Sequence, residues 1–248
     1  MGRAVSARII RRILCRKLLL EKSRHGKKSL AWPIFERGVP VVRLHIYLSG
    51  SIKKGKTDER KKSYWTQSDI KILKDILAAK YELTMMNPAV RSDDLSDAKS
   101  TFGRDLLQVH ISDIVLVDAR DKKGVGIGSE MTYAKTIGIP VLTIVPPESQ
   151  YNRSDFEYLG QRIDNWIHPF IYGLSDYLFD SIEDAANFIL NSDFPLKNIK
   201  NHAYFMEAIN HYIGTQLERD SGMKGILDED AQLKHKIEQI IRDNSSLQ

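Results

Sequence analysis

The chain has one cysteine, Cys15, so no internal disulfide framework is open to it. That suits a reducing compartment, and a cytoplasmic location is the expectation. No apolar run approaches the roughly 18 residues that a membrane-spanning helix needs. The seven histidines show no metal-ligand spacing; His202 and His211 are not at i, i+4, so neither a zinc site nor any other metal or cofactor is expected. There is no G-x-S-x-G elbow and no P-loop. Internal repeats and low-complexity tracts are also missing. What is left is a protein of 248 residues, 42% hydrophobic and 28% charged, an ordinary balance for a soluble globular protein.

Acidic residues are scarce in one place. Residues 1–28 hold ten Lys/Arg against a single acid, Glu21, a local charge of +9. The whole chain is only +5, so the remainder, with 27 basic and 31 acidic residues, stands at −4. The high pI therefore belongs to an arm, here bounded at 1–39, and says little about the body. Within the arm Arg8, Arg12 and Arg16 recur at i, i+4, as do Ile10, Leu14 and Leu18, the pattern of a basic amphipathic helix. Four readings stay open: contact with an anionic membrane surface, an organellar presequence, contact with nucleic acid, or packing on a protein partner or the body.

From residue 40 the texture becomes alternately strand-like and helix-like. The runs VVRLHIYLSG, KYELTMMNP, SDIVLVDA and IPVLTIVPP read as strands. Helices are predicted over about 64–80, 102–111, 129–137 (closed by Gly138), 158–167 and 181–192, with Ser181 and Glu183 at the start of the last. DYLFD reads as a short further strand, and 89–101 as a long loop. This alternation predicts a Rossmann-like (flavodoxin-like) parallel sheet with helices on both faces over 40–193. Residues 194–248 read as a helical tail of two or three amphipathic segments around the break Asp220-Ser221-Gly222.

In such a sheet ligands bind beyond the carboxyl ends of the strands. The candidates there are Tyr47, Ser49, Gly50 and Ser51 after the first strand, and Asp118 with Gly126, Gly128, Ser129 and Glu130 after the third. The glycine segment is a poor dinucleotide fingerprint, because it follows the third strand and places an acid where a pyrophosphate would sit. Glu130 is expected in the first helical turn, kept ionised by the helix dipole, with the glycines admitting a substrate close to the backbone. A carboxylate held that way suits attack on an anomeric carbon. Tyr47 is placed to hydrogen-bond Glu130, Asp105 to assist a leaving base as an acid of raised pKa, and Asp118 to orient a substrate hydroxyl. Each has a plainer alternative: Glu130 as a dipole partner, Asp105 as a solvated helix residue, Asp118 as a strand-end turn former, Tyr47 as core.

The segments His45–Ile52, Ser112–Asp118 and Gly124–Ala134, in this order and spacing, resemble the nucleoside 2-deoxyribosyltransferase family and its relatives, the 2′-deoxynucleoside 5′-phosphate N-hydrolases. The resemblance covers about residues 43–190. It implies a Rossmann-like fold, a homo-oligomer and a nucleoside or nucleotide substrate. It further implies Glu130 as nucleophile, Tyr47 as its positioning partner and Asp105 as the residue that assists the base. Gly50-Ser51-Ile52 followed by Lys53, Lys54 and Arg60 looks more like the phosphate-hydrolase branch, with Ser51 or Ser129 near a phosphate. The chain departs from the pattern at Met131-Thr132, in a slightly longer 119–126 loop, and in having an arm and a tail. The leading expectation is therefore cleavage of an N-glycosidic bond, by hydrolysis or by transfer to a second base. The rivals are a nucleotide- or NAD-binding or -cleaving effector whose arm and tail recruit a partner, and a module docked to membrane or nucleic acid by residues 1–28.

Overall fold

The computed structural model describes residues 42–52, 64–121 and 124–245. The arm helix, and the basic loop with Lys53, Lys54 and Arg60, lie outside the described residues. Five strands form one parallel sheet in the order β2-β1-β3-β4-β7: β1 Val42–Ser49, β2 Tyr81–Met86, β3 Ile114–Asp118, β4 Val141–Ile144 and β7 Tyr177–Phe179. This is the open, doubly wound α/β arrangement that the alternation predicts. Every residue of β3 and β4 is buried, as expected for aliphatic strands covered on both faces.

The two-residue period of β1 divides its side chains between two cores. Leu44, Ile46 and Leu48 join Leu73 and Leu77 of α1 (Gln67–Leu77) and Ile182, Ala186 and Ile189 of α5 (Ile182–Asn191). Tyr47 turns to the opposite face, among Val115, Val117, Val109 of α2 (Ala98–His110), and Ile127, Met131 and Ala134 of α3 (Val125–Ile137). A short α4, Pro169–Leu174, adds Ile171 and Leu174 to this second core.

Local signals set most helix ends. Thr66 and Asp69 form a reciprocal capping box on α1. Ser181 Oγ caps α5 by accepting from Asp184 N at 3.1 Å. Gly138, at φ 77°, closes α3 in the left-handed conformation.

Three expectations change. Residues 158–167 are not a helix but the turn and second strand of a hairpin, β5 Asn152–Tyr158 paired antiparallel with β6 Gln161–Ile167. Its two-residue turn has Leu159 at φ 50° and Gly160 at φ 77°, both in the left-handed region that hairpin turns of this length require. A leucine in that place hides the usual Asn-Gly signal. Next, α2 begins at Ala98 rather than 102, because Asp97 caps it by accepting from Ser100 N at 3.0 Å. Finally, α3 begins at Val125, so Gly126 and Gly128 lie inside the helix instead of leading to it.

The tail holds α6 His202–Thr215, a single 3-10 turn at Leu217–Arg219, α7 Ser221–Glu229 and α8 Ala231–Ser245. Asp220 makes the break: its Oδ1 accepts from Met223 N at 3.0 Å and its Oδ2 from Tyr212 Oη at 2.7 Å. No helix among the described residues is long and apolar enough to cross a membrane.

Candidate active site

Tyr47 and Ser49 stand two residues apart on β1 and so rise from the same face of the sheet, beneath α3. Both are fully buried. Glu130 sits above them on the inward side of α3, in the helical row that also carries Ile127 and Ala134. Tyr47 Oη donates to Glu130 Oε1 at 2.8 Å, and Ser49 Oγ donates to Oε2 at 2.5 Å. The hydrogen bond from Tyr47 is the one read from the sequence. Ser49, expected to meet substrate, donates to Glu130.

The early start of α3 changes the electrostatics. Glu130 is the sixth residue of the helix, in its second turn, where the end effect of the helix dipole has faded. Burial dominates in its place and raises the carboxyl to about 7; the two hydroxyls oppose that rise, and the Asp105 charge adds to it. Glu130 is therefore poised near neutrality, not held ionised as the first-turn placement implied. The same burial, with Glu130 beside it, drives the Tyr47 phenol upward, so Tyr47 stays a donor.

Asp105 approaches from α2 as the third member of the expected set, but with company that the sequence did not announce. Its Oδ1 accepts from Arg104 Nη1 at 3.1 Å, and its Oδ2 lies 3.4 Å from Arg91 Nη1. Arg91 also grips Asp93, with Nε on Oδ1 at 2.8 Å, and holds that carboxyl well below the usual range. Arg104 Nη2 donates to Val90 O at 2.7 Å, tying α2 to the loop after β2. Two guanidiniums thus flank the carboxyl that the sequence suggested as an acid for the leaving base. The loop arginine was invisible because only the chain path brings residue 91 to residue 105.

Asp118 ends β3 and is completely buried. Arg120 donates to its Oδ1 from N at 3.1 Å and from Nε at 2.9 Å, and reaches Asp69 Oδ2 from Nη2 at 3.0 Å. Asp118, expected to orient a substrate hydroxyl, is thus paired with Arg120. This pairing locks the start of α1 to the loop after β3.

Gly50 has a packing reason. A Cβ there would lie 2.8 Å from Cδ1 and Nε1 of Trp65, whose Nε1 donates to Ser49 O at 3.0 Å. Ser51 forms an isolated parallel bridge with Tyr64. A Cβ on Gly126 would stand 4.0 Å from Glu130 Oε1, so this glycine borders the carboxyl. Gly128 and Ser129 turn away from it. They line an open, largely apolar groove of about 580 Å³ with Phe102, Leu106, Val125 and Phe170. The Ser129 hydroxyl is spent on Val125 O at 3.2 Å. The glycine segment thus divides between two sides of α3: Gly126 and Glu130 inward, Gly128 and Ser129 outward.

Fold and site together define an open doubly wound α/β protein with a partly buried carboxyl held by two hydroxyls of its first strand. No protein-family model matches the sequence, and no curated protein does. Among solved structures the chain is similar to a 2-deoxyribosyltransferase from Bacillus psychrosaccharolyticus, at 17% identity and a TM-score of 0.41 over 64% of this chain and 98% of that one. It is also similar to a 2-desoxiribosyltransferase from Leishmania mexicana, at 14% identity and a TM-score of 0.33 over 70% and 99% of the two chains. A third is FerB, a flavoenzyme NAD(P)H:acceptor oxidoreductase from Paracoccus denitrificans, at 18% identity and a TM-score of 0.29 over 42% and 61%. The fold assignment rests on the sheet itself.

Proposed function

We propose that this protein cleaves the N-glycosidic bond of a nucleoside or nucleotide, with Glu130 as nucleophile. The observation that carries the reading is the partly buried carboxyl of Glu130 with one hydroxyl on each oxygen, from Tyr47 and Ser49. In its ionised form Glu130 attacks C1′ of the sugar. The bond from C1′ to the base nitrogen breaks, its electron pair leaves with the base, and a glycosyl ester forms on Glu130. Water or a second base then attacks C1′ and returns the free carboxylate. Water as acceptor yields a free sugar or sugar phosphate, and a base as acceptor yields a new nucleoside. The segments His45–Ile52 and Gly124–Ala134 support the same reading through their resemblance to deoxyribosyltransferases and N-hydrolases.

Base release from a panel of nucleosides, deoxynucleoside monophosphates and NAD tests it, with Glu130→Gln alongside. Release by the natural protein that is lost in the variant is expected, and equal release by both overturns the assignment. A homo-oligomer belongs to this reading, supported by exposed Phe102, Val125 and Phe170 around the outward groove, and sedimentation tests it.

One observation favours a second reading, a nucleotide-binding effector without turnover. Asp105, the residue expected to assist the departing base, is instead engaged by two guanidiniums. That reading predicts nucleotide binding with no base released by the natural protein.

A further inference from the structure

Ser49 was expected to touch substrate, yet everything around it points at Glu130. Its backbone is fixed twice. It pairs with Val117 of β3 in the sheet, and its carbonyl accepts from Trp65 Nε1 at 3.0 Å. The indole occupies the space that a side chain at position 50 would need. The Ser49 side chain is fully buried, so its hydroxyl has no water to turn to, and it donates to Glu130 Oε2 at 2.5 Å. Tyr47, on the same face of the same strand, takes the other oxygen at 2.8 Å.

We propose that Ser49 is a positioning residue for Glu130, forming with Tyr47 a two-hydroxyl clamp that takes one carboxyl oxygen each and selects the state in which both oxygens accept. The physical basis is a count of donors. A carboxylate accepts from both hydroxyls. A protonated carboxyl carries an O–H of its own and is a weaker acceptor, so the two donated bonds are weakened or one hydroxyl must turn. The clamp therefore works against protonation, while burial works for it. Asp105 on α2 is the other described charge that acts on Glu130, and it also favours protonation; Arg104 acts on Tyr47 in the opposite sense. Ser49 is thus one of two hydroxyl donors that lower the Glu130 pKa against the upward push of burial. The catalytic meaning of the clamp rests on the proposed glycosidic chemistry; the clamp itself does not.

The test is the titration of Glu130, followed by carbon NMR in the full chain labelled at the glutamate carboxyl, with the signal assigned by its loss in Glu130→Gln. The natural protein should titrate near about 7. Ser49→Ala should move that midpoint up by about one pH unit, the worth of a hydrogen bond to a charged group. Ser49→Thr keeps the hydroxyl and should stay within a few tenths of the natural value. Ser49→Cys keeps the shape with a weaker donor and should shift upward by less than alanine, which serves if the alanine variant does not fold. An unmoved midpoint in the alanine or cysteine variant, or a threonine shift as large as that of alanine, overturns the clamp. If no variant and not even the natural protein releases base while these shifts appear, the glycosidic reading falls and the clamp stands.

Discussion

Tyr47 and Glu130 are 83 positions apart in sequence, and the phenol donates to Oε1 of the carboxyl at 2.8 Å from directly beneath it. The bond spans the gap between the central sheet and the helix above. Because Tyr47 is fully buried and Glu130 partly so, its consequences extend from ionisation to stability.

The first consequence is a pH dependence of turnover. A nucleophilic carboxyl must be ionised, and burial sets Glu130 at about 7. Base release under kcat/KM conditions should rise tenfold per pH unit below that point and flatten above it. Rates measured from pH 5 to 9 check this, and a profile flat down to pH 5 removes Glu130 as the nucleophile.

Stability should respond in the opposite sense. The folded-state value of Glu130 is raised from an ordinary 4.5 to about 7, so the folded protein holds this proton more tightly than the unfolded chain does. The stabilisation is complete below pH 4.5 and is lost as pH rises through about 7. Glu130→Gln, which stays neutral, should therefore exceed the natural protein by up to about 3 kcal/mol at pH 8 and lose that advantage near pH 4. Urea unfolding at the two pH values measures the difference.

Asp105→Asn removes the like charge that raises Glu130 and leaves Arg91 and Arg104 without that partner. The acid limb of the rate profile should move down by about half a pH unit or more. An upward or absent shift would show that Asp105 acts on something other than Glu130.

A separate prediction concerns a buried ion pair far along the chain. Lys135 of α3 is fully buried against Asp176, whose Oδ2 also accepts from Val141 N at 2.7 Å and whose Oδ1 accepts from Lys200 N at 2.6 Å. Desolvation pushes the Lys135 ammonium down and Asp176 pushes it back up. Asp176→Ala should cost about 3–5 kcal/mol, since it strands a buried ammonium and frees two backbone donors. Lys135→Met should cost less, because Asp176 keeps both backbone partners. Denaturant midpoints give the order, and the reverse order would show that the lysine carries the pair.

Much of the architecture was readable because its causes lie within a few residues. Aliphatic runs such as Ile114–Val117 mark buried parallel strands, and Ser181 and Gly138 mark helix ends by their own hydrogen bonds and backbone angle. The two-residue period of a strand places Tyr47 and Ser49 on one face of β1. What the sequence alone determined, then, was the layered sheet and the short set of residues at its carboxyl edge. The hairpin at 152–167 escaped because its turn uses leucine where asparagine is usual. The tertiary structure alone decided how the members of that set divide their work. Only packing could seat Glu130 in the second turn of its helix, turn Ser49 toward it across 81 positions, enclose Asp105 between Arg91 and Arg104, and bury Asp118 against Arg120. Ionisation follows from desolvation and from partners distant in sequence, and neither exists until the chain has folded.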